Sequence, residues 1–373
     1  MNIYQKALAE RKRLHLKRHL PILPEGIDFF SNDYLGLARS SKLEQKIAEE
    51  AANFSLTNGA TGSRLLSGNS WYAENIEAQV AEYHNSEAAL IYPSGYTANL
   101  GLISCLATKE VTMVMDELLH ASLIDGSRLG KAPKVIFKHN DVDDLAKHLE
   151  KIQGEKLVVV ESVYSMDGDL CPITEVAQIC KDHQAMLIVD EAHAIGVFGK
   201  NGEGLVQGAK LEDQVMARII TYGKAPGIHG AAVVGPNWLK DYQANFSRSL
   251  IFSTAPSPHQ FASIAGFYQI LPELEEERQD LKALVKHFIA KREKHQGVWL
   301  PSPSHIQSII VPGNEKVVAL AEQLQKVKIN ALPIRKPSVK EDQERIRICL
   351  HSFNTKEEID LLFEKMEHSI SQS

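Results

Sequence analysis

Met186-Leu187-Ile188-Val189-Asp190-Glu191-Ala192-His193 is the stretch that decides the fold class. Four apolar residues in a row, followed at once by two acids and a histidine, mark a strand buried on both faces whose carboxyl end opens onto polar chemistry. The form recurs. Ile219-Ile220 ends in Thr221-Tyr222-Gly223-Lys224, Ala89-Leu90-Ile91-Tyr92 ends in Pro93-Ser94-Gly95-Tyr96, and Val158–Val160 leads to Tyr164-Ser165-Met166-Asp167-Gly168-Asp169. Strands are expected at Ala88–Tyr92, Val111–Met115, Val135–Lys138, Leu157–Glu161, Met186–Asp190, Ile219–Tyr222 and Ala231–Val234. Stretches of helical spacing, such as Ile76–His84 and Ile173–His183, lie between them. Strand and helix in alternation predict an α/β, doubly wound domain around a large, mostly parallel, seven-stranded sheet.

Outward from that core the texture changes on both sides. Residues 3–20 read as a polar helix ended by Pro21 and Pro24, followed by a short strand at Ile27–Phe30 and the loop Ser31-Asn32-Asp33-Tyr34-Leu35-Gly36. Beyond Ser257-Pro258 a charged helix runs from about Pro272 to His295. Strands near Ile306–Val311 and Arg345–Leu350 and helices near Glu315–Lys326 and Lys356–His368 complete a smaller α+β part. The expected division is an N-terminal arm at 1–41, a large cofactor-binding domain at 42–257 and a small domain at 258–373.

With 373 residues, 44% hydrophobic and 24% charged, the composition is that of a globular chain of two or three structural units. A formal charge of -6 gives no basic field for nucleic acid or an anionic membrane. The local exception, Arg11, Lys12, Arg13, Lys17 and Arg18, reads as a solvated face or an anion contact. Four scattered cysteines form no C-x-x-C pair, which argues against a zinc site or a disulfide framework. No apolar run approaches the length that spans a bilayer. A cytoplasmic chain without nucleic-acid or membrane partners is expected.

Ligands of open α/β sheets bind beyond the carboxyl ends of the strands. There this sequence gathers a lysine, a carboxylate, histidines and a small-residue turn at a helix start. Pyridoxal 5'-phosphate (PLP) needs those parts: an amine for its aldehyde, a carboxylate for its pyridine nitrogen and backbone N–H groups for its phosphate. Lys224, Asp190 and Ser94-Gly95-Tyr96 answer in that order. Asp190-Glu191-Ala192-His193 also spells a helicase signature. The nearest phosphate-loop candidate, Gly126-Ser127-Arg128-Leu129-Gly130-Lys131-Ala132, is one residue short and ends in Ala where Ser or Thr must hold magnesium.

At this level the chain resembles the α-oxoamine synthases, PLP enzymes of fold type I that condense an amino acid with an acyl thioester. The strings that carry the resemblance are SNDYLGLA (31–38), GSRLLSGN (62–69), SGYTANLGL (94–102), DELLHASLIDG (116–126), YSMDGD (164–169), VDEAHAIGVFG (189–199), TYGKAPGIHGAAVVG (221–235), LIFSTAPSP (250–258) and LPIRKPSV (332–339). The resemblance implies that Lys224 carries the cofactor, Asp190 pairs with the pyridine nitrogen and His120 stacks on the ring. It implies that Ser165 and His193 hydrogen-bond the 3-hydroxyl side, and that Ser94, Gly95, Tyr96 and Thr221 bind phosphate. Ser253 and Thr254 would reach the phosphate of a second copy, which implies a homodimer with its site at the interface. Arg335, with Ser338, would clamp the amino-acid carboxylate, and Asn32, Lys17 and Arg18 would lie along the substrate path. The sequence departs from the family pattern at Ala73, where a histidine is usual, and at Lys336 beside the clamp.

The activity this implies is a decarboxylative condensation of an amino acid with an acyl-CoA or acyl-carrier-protein thioester. Gly-Ile-His-Gly-Ala-Ala-Val (227–233) resembles the pattern of members that use alanine and a pimeloyl thioester more than the glycine-rich version of those that use glycine and acetyl-CoA; serine with a long acyl chain is the other alternative within the family. A PLP lyase of the threonine-aldolase type would share Lys224 and Asp190 but gives no reason for the strings at 31–38 and 116–126. A non-catalytic partner subunit would typically lack the lysine.

Overall fold

Residues 1–18, 20, 22, 25–54 and 57–371 are described by the structure, a computed structural model. The chain divides into two compact units. The large one comprises Leu35–Tyr164 and Leu170–Arg278, and the small one Met1–Tyr34, Ser165–Asp169 and Gln279–Ser373. In chain order the strands are β1 (Ile27–Phe29) in the small unit, then β2 (Ala88–Tyr92), β3 (Val111–Asp116), β4 (Lys134–Phe137), β5 (Glu155–Glu161), β6 (Met186–Asp190), β7 (Ala217–Thr221) and β8 (Ala231–Gly235) in the large one. β9 (Val298–Trp299), β10 (Ile306–Ile310), β11 (Ile329–Ile334) and β12 (Arg345–Cys349) return to the small unit.

The large sheet has the order β2-β8-β7-β6-β5-β3-β4, and only β8 runs antiparallel to its neighbours. The continuous apolar runs have a direct cause. Leu157 and Val159 of β5 and Ile188 of β6 enter one apolar layer, with Leu102 and Ile103 of the helix Gly95–Leu106 and Leu123 of the helix Ala121–Leu129. Val158, Val160, Leu187 and Val189 enter the opposite layer, with Leu145 and Leu149 of Val142–Lys151 and Val176 and Ala177 of Ile173–Asp182. Helices on both faces remove any polar alternation from the strands. The parallel register sets Glu161 beside Asp190 at the carboxyl ends of β5 and β6, and β3 ends in Asp116. The edge of this sheet where ligands bind is therefore lined with carboxylates.

The small sheet has the order β1-β11-β12-β10-β9. Two of its strands, β9 and β11, go beyond the expected set. The N-terminal helix spans Ile3–Arg13 rather than 3–20: Leu14 closes it and His15 turns to a φ of 55°. Pro21 and Pro24, expected to end it, lie outside the described residues, as does His19. The expected boundary after Ser257 falls inside the large unit, which keeps the helix Pro258–Ile270 packed on Ser41–Asn53 and Trp71–Tyr83. Residues 1–34 belong with the small unit rather than forming a separate arm.

Candidate active site

The turn after β6 splits its charged residues between two tasks. Asp190 is buried; one of its oxygens accepts the Ala192 N–H at 2.9 Å and the other the Asn99 side-chain amide at 2.7 Å. Glu191 points the other way, fully buried, and accepts the N–H groups of Leu205 and Val206. Burial pushes its carboxyl up to about 6, against the pull of Arg218. It fastens the turn, leaving Asp190 at the strand end. His193 closes the turn with Nε2 2.8 Å from Nζ of Lys224, which follows β7. An ammonium can only donate, so with Lys224 charged His193 accepts through Nε2.

A second feature lies at the start of the helix Gly95–Leu106. Ser94 caps it, its hydroxyl accepting the Thr97 N–H, so the earlier N–H groups of the first turn have no intrahelical partner. A Cβ placed on Gly95 would come 2.5 Å from Oγ1 of Thr221, the last residue of β7. Only glycine lets this helix start and that hydroxyl meet. Tyr96, half exposed, donates its hydroxyl to Asp125 at 2.6 Å.

His120 sits at the N-cap of the helix Ala121–Leu129, its backbone N–H bonded to the Glu161 carboxylate. Burial, and then the Lys224 charge, lowers its pKa, while Asp190 opposes. Glu161 is pushed up to about 8 by burial and by the facing charge of Asp190, with Lys224 opposing. Lys224 and Asp190 thus act on both His120 and Glu161, which gathers the four into one site. Asn99, Ser122 and Glu161 are the members that the sequence did not single out. Asn99 and Ser122 stand inside the quoted strings at 94–102 and 116–126, yet nothing in their spacing marks them.

The other expected residues fall into separate places. Ser253 and Thr254 lie in the large unit just after the exposed Phe252, Thr254 itself exposed. Within the small unit, Arg347 donates to the Ser165 carbonyl at 2.7 Å and to the Asn32 side chain at 3.0 Å, fixing both. A cavity of about 920 Å³ in that unit is lined by Lys17, Arg18, Arg335 and Ser338 together with apolar residues that include Leu16, Phe30, Met166 and Val318. Arg335 donates to the His15 carbonyl, and Arg18 lies 3.5 Å from the Ser338 hydroxyl. Lys336 pairs with Glu341 at 2.7 Å. Ala73 is fully buried on the helix Trp71–Tyr83.

Residues 24–366 match the family model described as aminotransferase class I and II. The chain belongs to this family. Among curated relatives, the 8-amino-7-oxononanoate synthase of Emericella nidulans is 37% identical over 384 residues, covering 96% of this chain and 93% of its own. A Geobacillus kaustophilus protein provisionally given the same name is 40% identical, covering 90% and 86%. Among solved structures, a serine palmitoyltransferase of S. paucimobilis bound to a PLP–myriocin adduct has a TM-score of 0.92 at 25% identity, covering 100% and 99%. The 8-amino-7-oxononanoate synthase of Francisella tularensis has a TM-score of 0.78 at 27% identity, covering 93% and 98%. This class I and II family member is a PLP-dependent enzyme of fold type I and of the acyltransferase kind. The residues present fit the cofactor: an amine at Lys224, a buried carboxylate at Asp190 and a helix start held open by Gly95 against Thr221. Among the described residues, no helix is long and apolar enough to cross a membrane.

Proposed function

We propose that the enzyme condenses L-alanine with a pimeloyl thioester, giving 8-amino-7-oxononanoate, carbon dioxide and the free thiol of CoA or a carrier protein, a step of biotin synthesis. The observation that carries this reading is the shared name of relatives that match the chain almost end to end, set against the four-part site at the ends of β3, β5, β6 and β7. Bound there, PLP supplies an electron sink for the negative charge that develops on the α-carbon of the amino acid. Asp190, buried at the strand end, holds a proton on the pyridine nitrogen. Lys224 Nζ, beside His193, takes the α-proton and later returns one. The helix start at Ser94-Gly95 and Thr221 anchors the phosphate, Ser165 and His193 orient the ring, and His120 covers its face. Arg335, with Ser338, clamps the amino-acid carboxylate, since a guanidinium fork matches a carboxylate in two bonds. The mixed cationic and apolar lining of the small-unit cavity suits an acyl chain that carries a carboxylate, with Lys17, Arg18 and Asn32 proposed along its path.

The same reading makes the enzyme a cytoplasmic homodimer in which Ser253 and Thr254 reach the second copy's phosphate. Exposed Leu66, Trp71 and Phe252 support it, since apolar surface of that kind marks an interface. Serine palmitoyltransferase, the neighbour with the higher TM-score, favours a second reading with serine and a long acyl chain. Thiol release by the holoenzyme, with alanine, glycine and serine each tested against pimeloyl-, acetyl- and palmitoyl-CoA, separates the two. Release with alanine and pimeloyl-CoA supports the proposal. Preference for serine and palmitoyl-CoA favours the second reading, and no release even from a pimeloyl carrier protein refutes the synthase reading.

A further inference from the structure

Asp190 and His120 are joined by an unbroken hydrogen-bonded path. The Asn99 side-chain amide lies 2.7 Å from the free oxygen of Asp190 and 2.9 Å from Oγ of Ser122. Ser122 Oγ lies 2.7 Å from Nδ1 of His120, and the Ser122 backbone N–H reaches the same nitrogen at 3.3 Å. Asp190, Asn99 and Ser122 are buried, Ser122 completely. Water therefore has little part in the path, and the donor and acceptor inventory alone determines its direction.

Asp190 must accept, because it is a carboxylate already taking the Ala192 N–H. Asn99 therefore faces it with its NH2 group, whose two hydrogens go one to Asp190 and one to Ser122. The amide oxygen of Asn99 finds no partner among the described residues, so its orientation is dictated by the acid and not by a partner of its own. Ser122 Oγ, having accepted from Asn99, has one hydrogen left and His120 Nδ1 in range. Nδ1 thus receives two donors and can only be an acceptor.

We propose that Asn99 and Ser122 are positioning residues that fix His120 as the neutral tautomer with its proton on Nε2. The proposal rests on the reading above that Asp190 and His120 face the cofactor. Its consequence is a division of labour. His120 presents an N–H donor, suited to a carboxylate or carbonyl oxygen of substrate, and leaves the work of a base to Lys224. Asp190 sets this state from a distance, because its two oxygens accept from Ala192 and Asn99 and so fix the direction of every bond that follows.

The test is the ring-nitrogen NMR spectrum of the PLP-loaded enzyme with 15N-labelled histidines near pH 7, His120 being assigned by the loss of its signals in His120→Gln. The wild type is expected to show His120 with its proton on Nε2 alone; Ser122→Ala, which loses the 2.7 Å hydroxyl and keeps only the longer backbone N–H at 3.3 Å, is expected to admit a measurable share of the Nδ1–H form. Steady-state rates should then show a fall in kcat of roughly 10- to 100-fold, with PLP affinity within about threefold. A wild-type signal with the proton on Nδ1 overturns the proposal, whether or not the variant folds. An Nε2–H form that persists unmixed in Ser122→Ala does so too. The spectra need no substrate, so a failure of the synthase reading, seen as no thiol release, is distinct from a failure here.

Discussion

At the residue scale the site depends on groups whose charge is set by their surroundings. Lys224 is the amine beside His193, and Lys224→Ala is expected to fold and still bind PLP while losing the borohydride-fixable link to it. Thiol release should fall by about 10³-fold or more, because the base is lost with the link. Retained, fixable PLP would place the link on another lysine. Glu161 makes a different prediction. Its carboxyl titrates at about 8 in the folded chain and near 4.5 when unfolded. The folded state therefore holds the proton more tightly. Stability from this group is complete below about pH 4.5, falls as pH rises and is fully lost above about 8. Glu161→Gln keeps an oxygen for the His120 N–H and has no charge to bury. Cofactor-free Glu161→Gln should melt higher than the wild type, with a gap that widens from about pH 6 to about pH 9. A gain on the order of 1–3 kcal/mol is about 2–10 °C at this size. A gap that stays constant with pH, measured by thermal melts in matched buffers, would show that Glu161 is ionised throughout.

At the scale of elements, the end of the site proposed to hold the phosphate is one helix start pressed against one strand end. Gly95→Ala puts a methyl 2.5 Å from the Thr221 hydroxyl, so either the strand end or the first turn must move. PLP affinity is expected to fall about 10-fold or more, the equivalent of one charge-assisted hydrogen bond, while affinity for pyridoxal without phosphate stays within about twofold. Equal losses for both ligands, measured by equilibrium binding to the cofactor-free enzyme, would move the phosphate elsewhere. These elements were legible in the sequence because strands buried on both faces spell continuous apolar runs; the edge strand β4, with Lys134 and Ile136 exposed, is the exception and is marked only by the short apolar run Val135–Phe137. β11 was not legible: Asn330 and Pro333 interrupt its apolar pattern, and its partners Arg345–Arg347 in β12 come from further along the chain. The end of the N-terminal helix is not legible in the sequence, because His15, Lys17 and Arg18 past Arg13 keep a helical composition, while the turn at His15 is a backbone event. Lys224, Asp190 and Ser94 were legible because each follows a strand run directly. Asn99, Ser122 and Glu161 lie within helices or at a strand's last residue, and their meaning comes from partners 91, 23 and 41 residues away.

At the scale of the whole molecule, the large unit leaves apolar side chains in water that its own fold does not need. Leu66, Trp71 and Phe252 are each more than two-thirds exposed. The loop bearing Leu66 is tied to the segment after Phe252 by the bond from the Ala255 N–H to the Gly62 carbonyl, at 3.0 Å. Burying one such side chain contributes about 1.5–3 kcal/mol, so the group supplies a fair share of what a lasting pairing requires. Ser253 and Thr254 stand next to Phe252. If a second copy covers this surface, the same contact delivers their hydroxyls to its phosphate, and pairing and cofactor affinity are linked. The double variant Leu66→Asp/Phe252→Asp leaves Ser253, Thr254, Lys224 and Asp190 in place. It is expected to sediment as a monomer at micromolar concentration, where the wild type is expected to sediment as a dimer, and to bind PLP at least about 10-fold more weakly. A variant that stays dimeric places the interface elsewhere on the chain. One that becomes monomeric but keeps full PLP affinity leaves the dimer intact as a claim and removes Ser253 and Thr254 from the cofactor site. The linkage itself is sound only if added PLP drives the variant back toward the dimer, because whatever the dimer does for the phosphate the phosphate must do for the dimer.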